Sequence, residues 1–171
     1  MVRIAVVGHR DLGTEATIRF VTEQCLAILQ QVQTEHGQVV ALSALADGAD
    51  TIFAEVALRL GIPLDIVRPF DEFATDFTLA PVRSRYEALR AAARHETRLA
   101  FKKRSDEAYE AAMRWVVDHS DILIAAWDGR PAAGLGGTGD AVRYALSIGR
   151  KFIHLNILDL VVTSQTGRPS R

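Results

Sequence analysis

The chain has 171 residues, of which 49% are hydrophobic and 24% charged, the composition of a folded globular domain. These proportions exclude disorder, coiled coil and collagen as descriptions of the whole chain. The formal net charge of −1 gives no global field that would draw the protein to nucleic acid or to a membrane. Cys25 is the only cysteine and no apolar run is long enough to span a bilayer, so we expect a cytoplasmic protein without disulfides.

The spacing of hydrophobic residues predicts strands and helices that alternate along the chain. The predicted strands cover residues 2–7, 39–42, 64–67, 97–101, 122–126 and 152–155, and the predicted helices cover 14–36, 50–60, 82–94, 105–119 and 138–148. Pro69 and Phe70 are expected to break the third strand, and residues 157–162 fit no single pattern. We therefore predict one domain over residues 1–160, followed by a polar tail over 161–171.

Alternation at these lengths indicates a single α/β domain of three layers, with a mainly parallel sheet and helices on both faces. In such folds ligands bind beyond the carboxyl ends of the strands, where the strand order reverses. We therefore expect a site among the turns that follow strands, at residues 8–13, 43–50, 68–73 and 127–139.

The first of these turns runs Gly8-His9-Arg10-Asp11-Leu12-Gly13-Thr14. Its glycines have the spacing of a phosphate loop, but Thr14 stands where that loop has its lysine. Arg10 is able to hold a phosphate through two hydrogen bonds, and we take Gly8, His9 and Arg10 as candidate ligand-binding residues. The alternative is a surface pair between Arg10 and Asp11, with His9 at the end of a strand.

The second turn runs Ser43-Ala44-Leu45-Ala46-Asp47-Gly48-Ala49-Asp50. Its small residues allow a ligand close to the backbone, and the helix that follows offers free N–H groups. Ser43, Asp47 and Gly48 are candidate ligand-binding residues, with the polar side chains placed to bond ribose hydroxyls. The alternative is ordinary turn and cap chemistry, which we favour for Asp50.

Glycines are concentrated before the last predicted helix, since residues 129–139 hold five of the twelve in the chain. Gly136, Gly137 and Gly139 leave backbone N–H groups uncovered, and Thr138 adds a hydroxyl. Such a turn at the positive end of a helix forms a nest for a phosphate. The alternative is a flexible glycine loop.

Three side chains flank the glycine turn. Trp127 offers a surface on which a base can stack, and Asp128 and Asp140 are candidate catalytic carboxylates. Tyr109 lies one residue off a helical stripe and could reach the mouth of the site. The histidines have no metal-ligand spacing with one another or with Cys25, so we predict no metal site.

Charge is unevenly distributed over residues 83–128. Residues 83–104 carry eight basic side chains against two glutamates, a net charge of +6, whereas residues 105–128 have a net charge of −5. The basic segment could follow a nucleic-acid backbone. We favour the interpretation that the two regions neutralise each other, within or between subunits, or form solvated faces.

Together the turns resemble the SLOG superfamily, which joins the DNA-processing protein A and Lonely Guy families. The resemblance covers residues 2–155 and rests on Gly8-His9-Arg10, on residues 43–50 and 120–129, and on Gly136-Gly137-Thr138. It implies a Rossmann-like fold that binds nucleotides or nucleotide-derived ligands, with the glycine motif at the phosphate. Lonely Guy enzymes carry P-G-G-x-G-T-x-x-E, but here Ala141 stands three residues after Thr138. The resemblance is therefore closer to a SLOG branch linked to sensing of nucleotide signals in bacteria.

Three functions follow as hypotheses. The first is a sensor or binding module for a nucleotide or an NAD-derived ligand of the ADP-ribose type, with no cofactor. The second is a Lonely Guy-like N-glycosidase that cleaves nucleoside monophosphates with Asp140 or Asp128. The third is binding of single-stranded DNA, but the near-neutral charge argues against nucleic acid as a partner. We also expect a homo-oligomer, such as a dimer, or an effector protein as partner, because we see no output domain.

Overall fold

A computed structural model describes residues 1–132 and 135–166 of the chain. These residues form one sheet whose strands are β1 (Val2–Gly8), β2 (Val39–Ser43), β3 (Leu64–Phe70), β4 (His95–Phe101), β5 (Ile122–Trp127), β6 (Lys151–Asn156) and β7 (Val161–Thr166). The α-helices are α1 (Glu15–His36), α2 (Ala49–Arg59), α3 (Ala80–Ala92), α4 (Asp106–Asp118) and α5 (Thr138–Ser147), and a short 3-10 helix covers Phe73–Asp76. Gly134 of the glycine-rich segment and residues 167–171 of the predicted tail lie outside the described residues.

The sheet has the strand order β4-β3-β2-β1-β5-β6-β7. Neighbouring strands from β4 to β6 are parallel, and β7 runs antiparallel to β6. The chain winds outward from β1 to β4, returns beside β1 as β5 and then winds the other way. The strand order thus reverses between β1 and β5, which creates a crevice at their carboxyl ends. The predicted α/β class and mainly parallel sheet are confirmed.

Two hydrophobic cores lie on opposite faces of this sheet. Ile4 and Val6 of β1 pack with residues of α1, α2 and α3, whereas Ala5 and Val7 pack with residues of α4 and α5. This alternation is the period of two expected of a strand buried on both faces. Helices therefore cover both sides, and the three-layer architecture predicted from the sequence is confirmed.

The predicted helices are present, with ends within about two residues of the expected ones. The hydroxyl of Thr14 accepts a hydrogen bond from the Thr17 amide at the start of α1, and Ser105 does the same for Ala108 at the start of α4. Among the described residues, no helix is both long enough and apolar enough to cross a membrane.

The prediction that Pro69 and Phe70 break the third strand is wrong. β3 continues to Phe70, which pairs with Phe101 of β4 after the register shifts between Arg68 and Phe70. An irregularity of this kind accommodates a proline, since its missing N–H is not needed by the ladder there. The chain then enters the 3-10 helix, which the sequence pattern did not predict.

The polar tail predicted over 161–171 also needs correction, and with it the domain limit at residue 160. Val161–Thr166 form β7, which pairs with β6 so that Val162 faces Leu155. Strand pairing satisfies the hydrogen-bonding groups of the backbone whatever the polarity of the side chains. The polar residues Thr163 and Ser164 are therefore as compatible with an edge strand as with a tail.

Candidate functional site

A cavity of about 660 Å³ opens at the carboxyl ends of β1 and β5, where the strand order reverses. Its volume lies within the range of about 300–1,000 Å³ that small-molecule sites occupy. The polar side chains that line it are His9, Arg10, Asp11, Asp50, Tyr109, Asp128, Arg130 and Thr138. Connections that are far apart in the sequence therefore meet at one cavity: the turn after β1, the turn after β2, and the segment that joins β5 to α5.

One corner of the cavity is formed by His9, Asp128 and Thr138, and we call these three residues the polar corner. His9 Nε2 lies 3.3 Å from Asp128 Oδ1, and His9 Nδ1 lies 3.3 Å from Thr138 Oγ1. Because a carboxylate only accepts hydrogen bonds, Nε2 carries the proton of the neutral imidazole. Nδ1 is then the acceptor, and the threonine hydroxyl donates to it.

Backbone contacts hold the polar corner in position. The His9 amide donates to the Ala126 carbonyl of β5 at 3.1 Å, and the Arg130 amide donates to Asp128 Oδ1 at 3.0 Å. Burial acts to raise the pKa of Asp128, but the Arg130 amide and His9 together outweigh it and lower that pKa. Asp128 is therefore an ionised carboxylate beside the imidazole at neutral pH.

The glycine turn takes its path from contacts with α4 and with Asp140. Gly136 has a φ of +78°, and a Cβ there would lie 2.8 Å from the backbone nitrogen of Glu110. Its amide donates to the Asp140 carboxylate at 3.2 Å, and Asp140 also pairs with Arg143. The cavity is lined by Gly136, Gly137, Thr138 and Gly139 but not by Asp140. The catalytic role of Asp140 stays a prediction, and its contacts are those of a cap on the turn.

The segment after β5 is packed directly against the glycine turn. A Cβ at Gly139 would lie 2.6 Å from the backbone nitrogen of Ala132, so only glycine fits there. The indole N–H of Trp127 donates to the Arg130 carbonyl at 2.8 Å, and the ring tilts against His154 with centroids 5.3 Å apart. Trp127 is thereby fixed on the cavity wall, and its stacking on a base stays a prediction.

The second turn packs against the backbone of the first turn. Its predicted ligand-binding residues, Ser43, Asp47 and Gly48, do not line the cavity. The fully buried Ser43 hydroxyl accepts from the Leu45 amide at 3.0 Å and donates to the Asp50 carbonyl at 3.4 Å. A Cβ at Gly48 would lie 2.2 Å from the Arg10 carbonyl oxygen, so this glycine lets α2 pack beneath the first turn. Of the small residues in this turn, Gly48 therefore serves packing, whereas Ala44 and Ala46 line the cavity.

Asp50 is the charged residue of the second turn that lines the cavity, beside Ala44 and Ala46. Its side chain is buried, and its carboxylate accepts from the Ala46 amide at 3.3 Å. Burial raises the pKa of Asp50 to about 7, although the Ala46 amide and the Arg10 guanidinium act in the opposite direction. The wall of the cavity therefore holds a carboxyl group that titrates near neutrality.

A second charged cluster lies at the mouth of the cavity. The buried carboxylate of Asp76 accepts from the Tyr109 hydroxyl and, at 3.2 Å, from Arg10 Nη1. The Arg10 and Arg104 guanidinium carbons lie 5.4 and 5.8 Å from the centroid of the Tyr109 ring. Tyr109 thus lines the cavity, as its position on the helix suggested. No sequence signal pointed to Asp76, because it belongs to the unpredicted 3-10 helix.

The basic segment is neutralised mainly by its own neighbourhood. The ion pairs are Arg85 with Glu55, Arg90 with Glu87 and Glu96, Arg94 with Asp65, Arg98 with Glu96, and Arg104 with Asp76. These acidic partners lie between residues 55 and 96, so within one chain these five arginines do not pair with residues 105–128; pairing between subunits stays a prediction. Over residues 1–132 and 135–166, no group of three or more His, Cys, Asp or Glu side chains is arranged to hold a metal ion.

No protein-family model matches the chain, and no curated protein matches it by sequence. Solved structures match it by fold. DNA processing protein A from Streptococcus pneumoniae aligns with a TM-score of 0.66 at 16% identity, over 90% of this chain and 50% of that one. The Helicobacter pylori protein of the same name, described with a single-stranded DNA binding mode, aligns with a TM-score of 0.58 at 20% identity, over 90% and 64%. The Moco carrier protein of Chlamydomonas rheinhardtii aligns with a TM-score of 0.54 at 16% identity, over 91% and 76%.

These likenesses correct one expectation. The near-neutral charge led us to argue against nucleic acid as a partner, but a protein of the same fold binds single-stranded DNA. Net charge is a poor guide here, because a nucleic acid meets a local surface rather than the sum over the chain. This chain spans about half to two thirds of the two DNA processing proteins it matches. What the comparisons establish is the architecture: the chain has the Rossmann-like fold of these solved structures.

Proposed function

We propose that the cavity binds a nucleotide or an NAD-derived ligand of the ADP-ribose type, with a phosphate on the turn Gly136–Gly139. The observation that carries this proposal is the meeting of the glycine turn, the start of α5 and the first turn at one cavity. Amides at a helix start and in a glycine turn point at an anion without side chains in the way.

The charges on the cavity wall support the same assignment. Arg10 and Arg130 supply guanidinium groups that suit phosphate oxygens, and the polar corner lies beside the glycine turn. Asp11 and Asp128 are carboxylates that accept from ribose hydroxyls. A ligand with phosphate at one end and hydroxyls at the other satisfies both kinds of group at once.

Thermal unfolding in the presence of AMP, ADP, ATP, GMP, NAD, ADP-ribose and cyclic ADP-ribose tests the proposal. A ligand at 100 times its dissociation constant adds about 2.7 kcal/mol to the free energy of unfolding. Gly137→Asp should abolish the shift, because a carboxylate would stand at the phosphate position. Gly137→Ala is the matched control and should retain most of it, since the φ of −73° at Gly137 suits any residue. No shift with any ligand would contradict the proposal.

Single-stranded DNA is the second candidate, because a solved structure of the same fold binds it. Lys102 and Lys103 are exposed just after β4, at the same edge of the sheet as the cavity. We expect Lys102→Glu to weaken binding of a fluorescent oligothymidylate and to flatten its salt dependence by about 0.7 in log–log slope for each lost phosphate contact. Lys151→Glu, at the opposite edge, is the control and should change neither. Affinity that does not respond to salt would rule out this candidate.

A further inference from the structure

The geometry points to a hydrolytic activity on carboxylic esters, with Thr138 as nucleophile, His9 as general base and Asp128 as the residue that positions His9. The inference does not depend on the proposed function. It rests on the polar corner, in which one imidazole bridges a carboxylate and a hydroxyl at 3.3 Å on each side. A nucleophile in reach of a base that a third group orients is the arrangement on which covalent catalysis by hydroxyl side chains depends.

The protonation of the polar corner suits this chemistry. Asp128 is ionised, because its pKa is lowered, and its carboxylate faces the N–H of His9 Nε2. The lone pair of Nδ1 therefore faces Thr138 Oγ1 and is free to take the hydroxyl proton. Side-chain exposures of 31% for His9 and 20% for Asp128 leave the base accessible from the cavity while its partner is mostly covered.

The nucleophile is the first residue of α5, so it lies where backbone amides are available to an oxyanion. The Asp140 and Ala141 amides donate to the Gly137 carbonyl, which begins the hydrogen bonding of the helix. The amides of Thr138 and Gly139 precede that first bond and have no carbonyl in the helix to pair with. A developing negative charge on the carbonyl oxygen of an ester would meet these amides and the positive end of the helix.

One part of the cavity wall is apolar and suits the acyl group of a carboxylic ester. Val6, Ala112, Met113 and Val116 line the same cavity, and they provide an apolar surface for an acyl group. An acyl chain on this surface and an ester carbonyl at the start of α5 would place the reacting carbon near Thr138 Oγ1.

The reaction is balanced with water as the only co-substrate. The Thr138 hydroxyl proton moves to His9 Nδ1 while Oγ1 bonds to the acyl carbon, and the bond from that carbon to the alcohol oxygen breaks as His9 returns the proton to the alcohol. Water then gives a proton to His9 and attacks the acyl carbon. The Thr138 ester bond breaks, and Oγ1 recovers the proton, leaving a carboxylic acid and an alcohol.

The test is hydrolysis of p-nitrophenyl acetate and butyrate by the purified chain, with the acyl group located by mass spectrometry after acid quenching. We expect acylation at Thr138. Thr138→Val and His9→Asn should each lower kcat/KM at least about 100-fold, and Thr138→Ser should retain activity. Asp128→Asn should lower kcat and alter the pH profile, because the imidazole loses its orientation.

Two matched controls separate catalysis from the reaction of such esters with surface groups. Thr34→Val and His36→Asn remove a hydroxyl and an imidazole from the exposed end of α1, and both should hydrolyse the esters like the wild type. Circular dichroism confirms that every variant is folded. A wild-type rate no higher than that of folded Thr138→Val, or an acyl group found only elsewhere, would overturn the inference. Neither result bears on nucleotide binding, which unfolding experiments measure separately.

Discussion

The polar corner and the second turn lie at the same edge of the sheet, and each has an aspartate that lines the cavity. In the second turn the polar groups bond to one another: Ser43 bonds to Leu45 and Asp50, and Asp50 bonds to Ala46. In the polar corner each group bonds to a residue from another element. The two regions therefore differ in their bonding: the second turn is held by contacts within itself, and the polar corner joins three separate segments on the cavity wall.

The two aspartates show the same contrast in their ionisation. Burial raises the pKa of Asp50 to about 7, whereas the Arg130 amide and His9 outweigh burial and lower the pKa of Asp128. The difference teaches that the environment supplied by the fold, and not the residue type, decides which carboxylate is held ionised.

The largest effect we expect comes from filling the space under the first turn. Gly48→Ala puts a Cβ 2.2 Å from the Arg10 carbonyl oxygen, at a φ of +87°. Left-handed backbone and overpacking together should lower the free energy of unfolding by about 2–5 kcal/mol. Gly61→Ala is the matched control, since its φ is +70° with nothing within 4 Å, and only the backbone term of about 1–2 kcal/mol should remain. If urea unfolding gave the same loss of free energy for Gly48→Ala and Gly61→Ala, the close packing of Gly48 against the first turn would be contradicted.

The next effect concerns pH. The pKa of Asp50 is about 7 in the folded chain and about 3.9 in an unfolded one, so the folded state keeps the proton longer. The free energy of unfolding should therefore fall as the pH rises from about 4 to about 7, by at most about 4 kcal/mol. Asp50→Asn should be more stable than the wild type at about pH 8 and equal to it at about pH 4. Urea unfolding across this range measures the difference.

Asp128→Asn is the counterpart of this test, because it should change the free energy of unfolding in the opposite direction near neutral pH. A lowered pKa means that Asp128 stabilises the folded state above its unfolded pKa and that this contribution disappears as the pH falls. Asp128→Asn should therefore be less stable than the wild type near neutrality, with the gap closing in acid. If the free energies of unfolding of Asp50→Asn and Asp128→Asn differed from the wild type in the same way at every pH, the two aspartates would not have opposite pKa shifts.

The smallest effect on stability should come from the polar corner itself. Thr138→Val removes one partly buried hydrogen bond at 3.3 Å and keeps the shape of the side chain, so we expect a loss of about 1 kcal/mol. A much larger loss in the same unfolding experiment would mean that Thr138 supports the fold as Ser43 does, rather than serving the cavity.

Several parts of the fold could be predicted from local patterns. The helices predicted to start at residues 14 and 105 begin within one residue of those positions, and the apolar run predicted as the first strand is the central strand β1. Other features depended on distant partners. Pro69 stays in β3 because the register against β4 shifts beside it, and Val161–Thr166 become a strand because β6 offers an edge.

By itself, the sequence determined the order of β1 to β6 and of the five α-helices, the parallel sheet and the turns among which the candidate site lies, because hydrophobic period and glycines act within a few residues. Only the tertiary structure decided which residues of each turn face the cavity. Ser43 and Gly48 are packed behind the cavity, whereas Asp50 lines its wall. Asp76, which the sequence did not predict, bonds to Tyr109 at the mouth of the cavity. The physical reason is that burial, ion pairing and close backbone approach are set by residues far away in the chain, and no local pattern contains them.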